Sequence, residues 1–160
     1  NYLLFCELTA VEGAATFGNI LNLVWESISG KNQAIDFAKQ AEKLELITPD
    51  PEDYDCYGVY PGLDAAVGLA CLLAACQRWD QAEVDSLPLL SRSTISHYLD
   101  ATEQPQQADH PLYVADQLFV QQMVERIQAL SGAGRVELVK ALRSDLAELE
   151  QSNIGIEWPT

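Results

Sequence analysis

Apolar residues recur along most of this chain at intervals of three and four, the helical period, and no segment alternates with period two over a useful length. Phe17, Ile20, Leu21, Val24, Trp25 and Ile28 form one stripe, with Asn19, Asn22, Glu26 and Ser29 opposite. That pattern predicts an amphipathic helix ending at Gly30, a residue suited to a helix C-terminus. The small residues of Thr9 to Ala15 read as a connection into it. Tyr2 to Leu8 read as the end of a helix whose start lies before Asn1. Ala34, Phe37, Ala38, Ala41 and Leu44 make the next stripe, stopped by Pro49 and Pro51.

The rest of the chain is expected to organise itself around Asp50 to Cys76. An acidic, tyrosine-bearing loop there runs into Ala65 to Cys76, which has almost no polar side chain. The run is shorter than the roughly 20 apolar residues of a bilayer span and fits a helix buried on every side. A central helix is therefore predicted over about residues 62–78. Pro61 belongs in its first turn, where the missing N–H costs nothing. Asp64 belongs in the same turn, where a carboxylate meets the positive end of the helix dipole. Gly68 and the alanines around it invite close approach of neighbouring backbones.

Three further stripes follow. The first is Leu87, Leu90, Thr94, Tyr98 and Ala101 or Thr102. The second is Leu112, Ala115, Phe119, Met123, Ile127 and Leu130, behind a cap at Asp109 or His110 and with Pro111 in the first turn. The third is Leu138, Val139, Leu142, Leu146 and Leu149. The expected fold is all-α: a single domain over residues 1–160, with six or seven helices packed around the central one. Short connections favour antiparallel neighbours. The chain is expected to lack an N-terminal helical segment.

Composition narrows the function classes. A hydrophobic content of 48% in 160 residues suffices for one real core. The net charge of −15 argues against nucleic acid, where a basic surface supplies most non-specific affinity. It argues equally against anionic membranes, while permitting a cationic partner. The cysteines Cys6, Cys56, Cys71 and Cys76 form no Cys-x-x-Cys pair, and three lie in apolar surroundings. Free thiols in a reducing cytosol are the expectation. No signal peptide or transmembrane segment is visible.

No glycine-rich phosphate loop is present. His97 and His110 share no metal-ligand spacing, and positions 94 and 107 are Thr and Gln where a Glu-x-x-His pair needs glutamate. Counted from Asp50, a calcium loop would place Tyr54 and Asp55 where a ligand and a glycine belong. No cofactor or metal is implied. What remains is the junction where the acidic loop enters the central helix. Asp55, Tyr57, Tyr60 and Asp64 converge there, and Glu26 on the polar stripe beside Trp25 is a further candidate ligand-binding residue. The plainer reading, in which Asp64 caps its own helix, the tyrosines find packing partners and Glu26 is solvated, ranks ahead of a pocket.

Three stretches in combination resemble the YjaG-like bacterial proteins, a domain family of unknown function. They are Leu23-Val24-Trp25-Glu26, then Asp53-Tyr54-Asp55-Cys56-Tyr57-Gly58-Val59-Tyr60-Pro61-Gly62-Leu63-Asp64-Ala65, and finally Leu142-Arg143-Ser144-Asp145-Leu146 with Ser152-Asn153-Ile154-Gly155-Ile156. The similarity runs from about Tyr2 to Ile156, and family members carry a further N-terminal helical segment. The resemblance implies an all-α cytoplasmic protein. It supplies no activity, and it adds Asn153 as a further candidate. The expectation is a protein acting by association, with itself or with another protein. The alternative is a small-ligand or metal-binding pocket, catalytic or not, at the Tyr57–Asp64 junction.

Overall fold

The apolar run folds as the hub of the computed structural model, which describes residues 5, 6, 8, 9, 11–31, 34–54, 59–78 and 87–147. Among these residues the structure holds six α-helices and one 3₁₀ turn. They are α1 (Val11–Ser29), α2 (Phe37–Ile47), the turn Pro51–Asp53, α3 (Val59–Arg78), α4 (Leu87–Ala101), α5 (Pro111–Ala129) and α6 (Arg135–Ala147). The predicted central helix is α3, and α1, α2, the 3₁₀ turn and α4 all pack on it. Helix α6 packs on α1, and α5 packs on α4.

Local chemistry sets most of the boundaries. Asp36 caps α2 by accepting from the Lys39 amide at 3.0 Å. Asp50 does the same for Glu52 at the 3₁₀ turn, at 3.0 Å. His110 Nδ1 accepts from the Leu112 amide at 3.3 Å, and Pro111 opens α5. Gly30 closes α1 with φ of 76°, a conformation in which a side chain is strained.

Helix α1 begins earlier than the pattern of large residues suggests. Val11 to Ala15 is helix, not connection. Gly13 fits there because a Cβ would meet Thr9 Cβ at 2.8 Å. Close backbone approach to α3 occurs at Gly62, not at Gly68. A Cβ on Gly62 would meet Leu8 at 2.7 Å and lie 3.6 Å from Phe5 Cα, whereas Gly68 faces Leu90 and Leu87 at ordinary contact distance.

The main core joins Phe5 to α1, α2 and α3 through Phe17, Ile20, Val24, Leu44, Ala66, Leu69 and Leu73. Phe5 and Phe17 stack tilted, with ring centroids 4.6 Å apart. A second, smaller core joins α4 to α5 through Ile95, Leu99 and Tyr113. Helix α4 thus lies between two neighbours and buries two faces. Ile95 and Leu99 are fully buried, yet they lie off the single stripe expected for this helix.

Two sequence expectations change in physical terms. The polar stripe of α1 is not simply wet, because α6 runs antiparallel along the helix. Arg143 Nη2 donates to Asn22 Oδ1 at 2.7 Å, the Arg143 guanidinium lies 5.9 Å from the Trp25 ring centroid, and Ser29 is buried. The apolar stretch also makes a longer helix than the bare run implied. Val59–Gln77 spans 19 residues with mean hydropathy 1.7, long and apolar enough to cross a membrane. In this fold 39% of it is buried inside the domain, with helices packed on it as on a core helix.

Candidate functional site

The loop–helix junction is where chemistry-bearing side chains meet. Helix α3 includes Val59 and Tyr60, so Asp64 falls in its second turn. It does not cap its own helix. Tyr60 and Asp64 stand four residues apart and share a face. Helix α4 runs antiparallel opposite them and presents Thr94 and His97, three apart on one face. Thr94 Oγ1 donates to Asp64 Oδ2 at 2.6 Å. Tyr60 and His97 stack with centroids 4.5 Å apart and an interplanar angle of 12°. Burial raises the Asp64 carboxyl above its ordinary value, while the Thr94 hydrogen bond and the charge of His97 pull it back down. A half-buried carboxylate beside an imidazole and a phenol could hold a cationic or hydrogen-bonding group. It equally serves as a polar clasp between two helices.

On the other side of α4, Ser91 Oγ donates to Asp116 Oδ1 on α5. Asp116 is buried, and the Arg92 guanidinium stacks 4.8 Å over the Tyr113 ring. Helix α4 therefore uses one hydroxyl on each side to tie a neighbouring carboxylate.

The sequence candidates divide accordingly. Tyr60 and Asp64 are brought together, with Thr94 and His97 as partners that the sequence pattern does not bring to this junction. Glu26, on α1, enters none of these contacts. Asp55, Tyr57 and Asn153 lie outside the described residues. Tyr54 is tied into the fold, its hydroxyl donating to the Leu8 carbonyl at 3.0 Å. Cys6 and Cys76 are free thiols, and burial pushes the Cys76 thiol up, with a Ser27 hydrogen bond opposing. Among the described residues, no three histidine, cysteine or acidic side chains group as metal ligands.

A second feature is the far half of α5. The stripe expected to be buried from Leu112 to Leu130 is not the buried face: Leu112 packs against the second core, but the buried positions lie one residue further on. Tyr113 and Asp116 are buried, and no α5 residue beyond Asp116 is. Leu118, Val120, Val124 and Ile127 are 52%, 43%, 47% and 43% exposed. Among the described residues α4 reaches back only to Leu87, four residues before the Ser91 that pairs with Asp116, so the described part of α4 faces only the first turns of α5. Its one described tie beyond that point is the Arg126 Nε to Asp145 ion pair with α6, at 2.7 Å.

The fold and its two-sided α4 define an all-helical domain without a metal cluster among its described residues. A family model described as "Protein of unknown function (DUF416)" matches residues 1–157, and the chain belongs to that family. It is 36% identical to an uncharacterized protein of Haemophilus influenzae, covering 99% of this chain and 84% of that one. It is 32% identical to the uncharacterized protein YjaG of Escherichia coli K12, covering 98% and 82%. A crystal structure of a DUF416 family protein from Shewanella baltica matches with a TM-score of 0.79 at 29% identity, covering 98% of this chain and 84% of that one. The resemblance and the all-α bundle expected from the sequence both hold.

Proposed function

We propose that this protein works by association with another polypeptide through the exposed apolar side chains of α5. The observation that carries this reading is the exposed row Val120, Val124 and Ile127, with the partly buried Met123 among them, which continues the face that Tyr113 and Asp116 bury against α4. A contiguous apolar face on an otherwise charged protein marks an interaction surface. The same reading places the protein in the reducing cytosol, supported by the free thiols of Cys6 and Cys76.

Met123 is the one methionine of the chain, so its oxidation reports on this face alone. Radical footprinting is expected to oxidise it more slowly in cells than in dilute purified protein. Equal rates in both settings would end the association reading.

A second reading is favoured by the Tyr60, Asp64, Thr94 and His97 cluster: a small polar or cationic ligand held at the α3–α4 junction. It ranks second because the Thr94 bond already gives Asp64 a structural role. Under it, Asp64→Asn abolishes a thermal shift produced by metals or metabolites while leaving the fold intact. A screen without any shift counts against it.

A further inference from the structure

Tyr113, Asp116, Val120, Met123, Ile127 and Leu130 follow one another at intervals of three, four, three, four and three. That is the heptad spacing of a coiled-coil seam. The first two are spent inside the domain on α4. The remaining four form a two-heptad seam beyond it, Val120 and Ile127 exposed and Met123 and Leu130 partly buried, flanked by the exposed Val124 on one side and the partly buried Phe119 on the other. Glutamines 117, 121, 122 and 128 occupy most of the rest of this half-helix, and its one acid, Glu125, stands on the side away from the seam.

The geometry points to a second copy of this chain as the occupant, with α5 packed on α5 across a two-fold axis. This inference rests on the association reading and names its partner. The argument is electrostatic. The chain carries −15, so two copies repel over most of their surfaces. Residues 111–147 are the exception, because acids and bases balance there, four of each. The apolar seam and the neutral region coincide. A cationic partner would be drawn to the acidic remainder of the molecule and would gain nothing from this face. A copy of the same chain, in contrast, can approach here without bringing carboxylate against carboxylate. A symmetric contact of this kind is isologous, so one patch serves both subunits. Two heptads make a small interface, below the standard size of stable complexes, and the dimer is expected to be weak and reversible.

Sedimentation equilibrium of the purified chain tests this. The wild type is expected to dimerise with a micromolar dissociation constant. Ile127→Glu, at a position already 43% exposed, is expected to weaken the dimer at least tenfold. Leu46→Glu places the same charge on α2, at a residue 86% exposed, and is expected to change it less than twofold. Circular dichroism of each variant confirms that the fold persists. A wild type that stays monomeric at 100 times the expected constant overturns the inference, as does a dimer indifferent to Ile127→Glu. If the purified chain is monomeric while Met123 is still protected in cells, association stands and the second copy does not. If Met123 is equally reactive in both, both readings fall.

Discussion

Thr94→Val keeps the shape of a side chain that is only 6% exposed and removes a single hydroxyl. That hydroxyl donates to Asp64 at 2.6 Å. A hydrogen bond to a charged group contributes about 1.5–3 kcal/mol. Asp64 is half-buried, so water recovers part of the loss, and a cost near the lower end, about 1.5 kcal/mol, is expected at neutral pH. In a domain of this size that lowers Tm by roughly 3–6 °C. The pH dependence has a definite sign. Burial raises the folded-state pKa of Asp64 above its ordinary 3.8. The folded state then holds this proton more tightly than the unfolded chain. The group's contribution is fully present below 3.8 and is lost as pH rises through the raised folded value. The Thr94 bond limits that rise. Without it the folded pKa climbs further and more stability is lost on the way to neutrality. The cost of Thr94→Val is therefore smallest in acid and largest at neutral pH. Asp64→Asn keeps an acceptor for Thr94 but removes the charge, so in that background the valine substitution costs about 1 kcal/mol at any pH. Urea unfolding of the four proteins from pH 4 to 8 measures the cycle. A Thr94→Val cost that does not change with pH, or is unaltered by Asp64→Asn, refutes the coupling.

Other substitutions test the packing. Leu99→Ala empties a fully buried site between α4 and α5 and is expected to cost about 2–5 kcal/mol. Leu118→Ala, at a residue 52% exposed, should stay within about 0.5 kcal/mol, both read by urea unfolding. Gly30→Ala forces a side chain to φ of 76° and is expected to cost about 1 kcal/mol. Gly132→Ala, which meets nothing within 4 Å, should be neutral or slightly stabilising, and thermal melts of the two isolate the backbone strain at Gly30.

Much of this architecture is legible in the residue pattern. The central helix, the stripe of α1, the prolines that end α2 and the cap at His110 all follow from local chemistry. What is not legible depends on neighbours. The pattern marks one inward face per helix, but α4 has two partners, and Ile95 and Leu99 are buried because of the second. It marks a long stripe on α5 without saying that α4 covers only its first turns. At the site, Tyr60 and Asp64 are identifiable from the loop–helix junction. Thr94 and His97 are not, because only the antiparallel placement of α4 brings residues some thirty positions away opposite them. Gly62 follows the same rule, since its lack of a side chain matters only once Phe5 and Leu8 lie across it.

The apolarity of α3 also bears on how the protein is made. As it leaves the ribosome, Val59–Gln77 has the length and greasiness of a segment that the insertion machinery accepts. Synthesis runs from the N-terminus, so α1 and α2 are already outside when this helix appears. They can cover one flank before α4 emerges. The order of the elements along the chain thus has a consequence: the segment most like a membrane span emerges after two of the helices that pack on it.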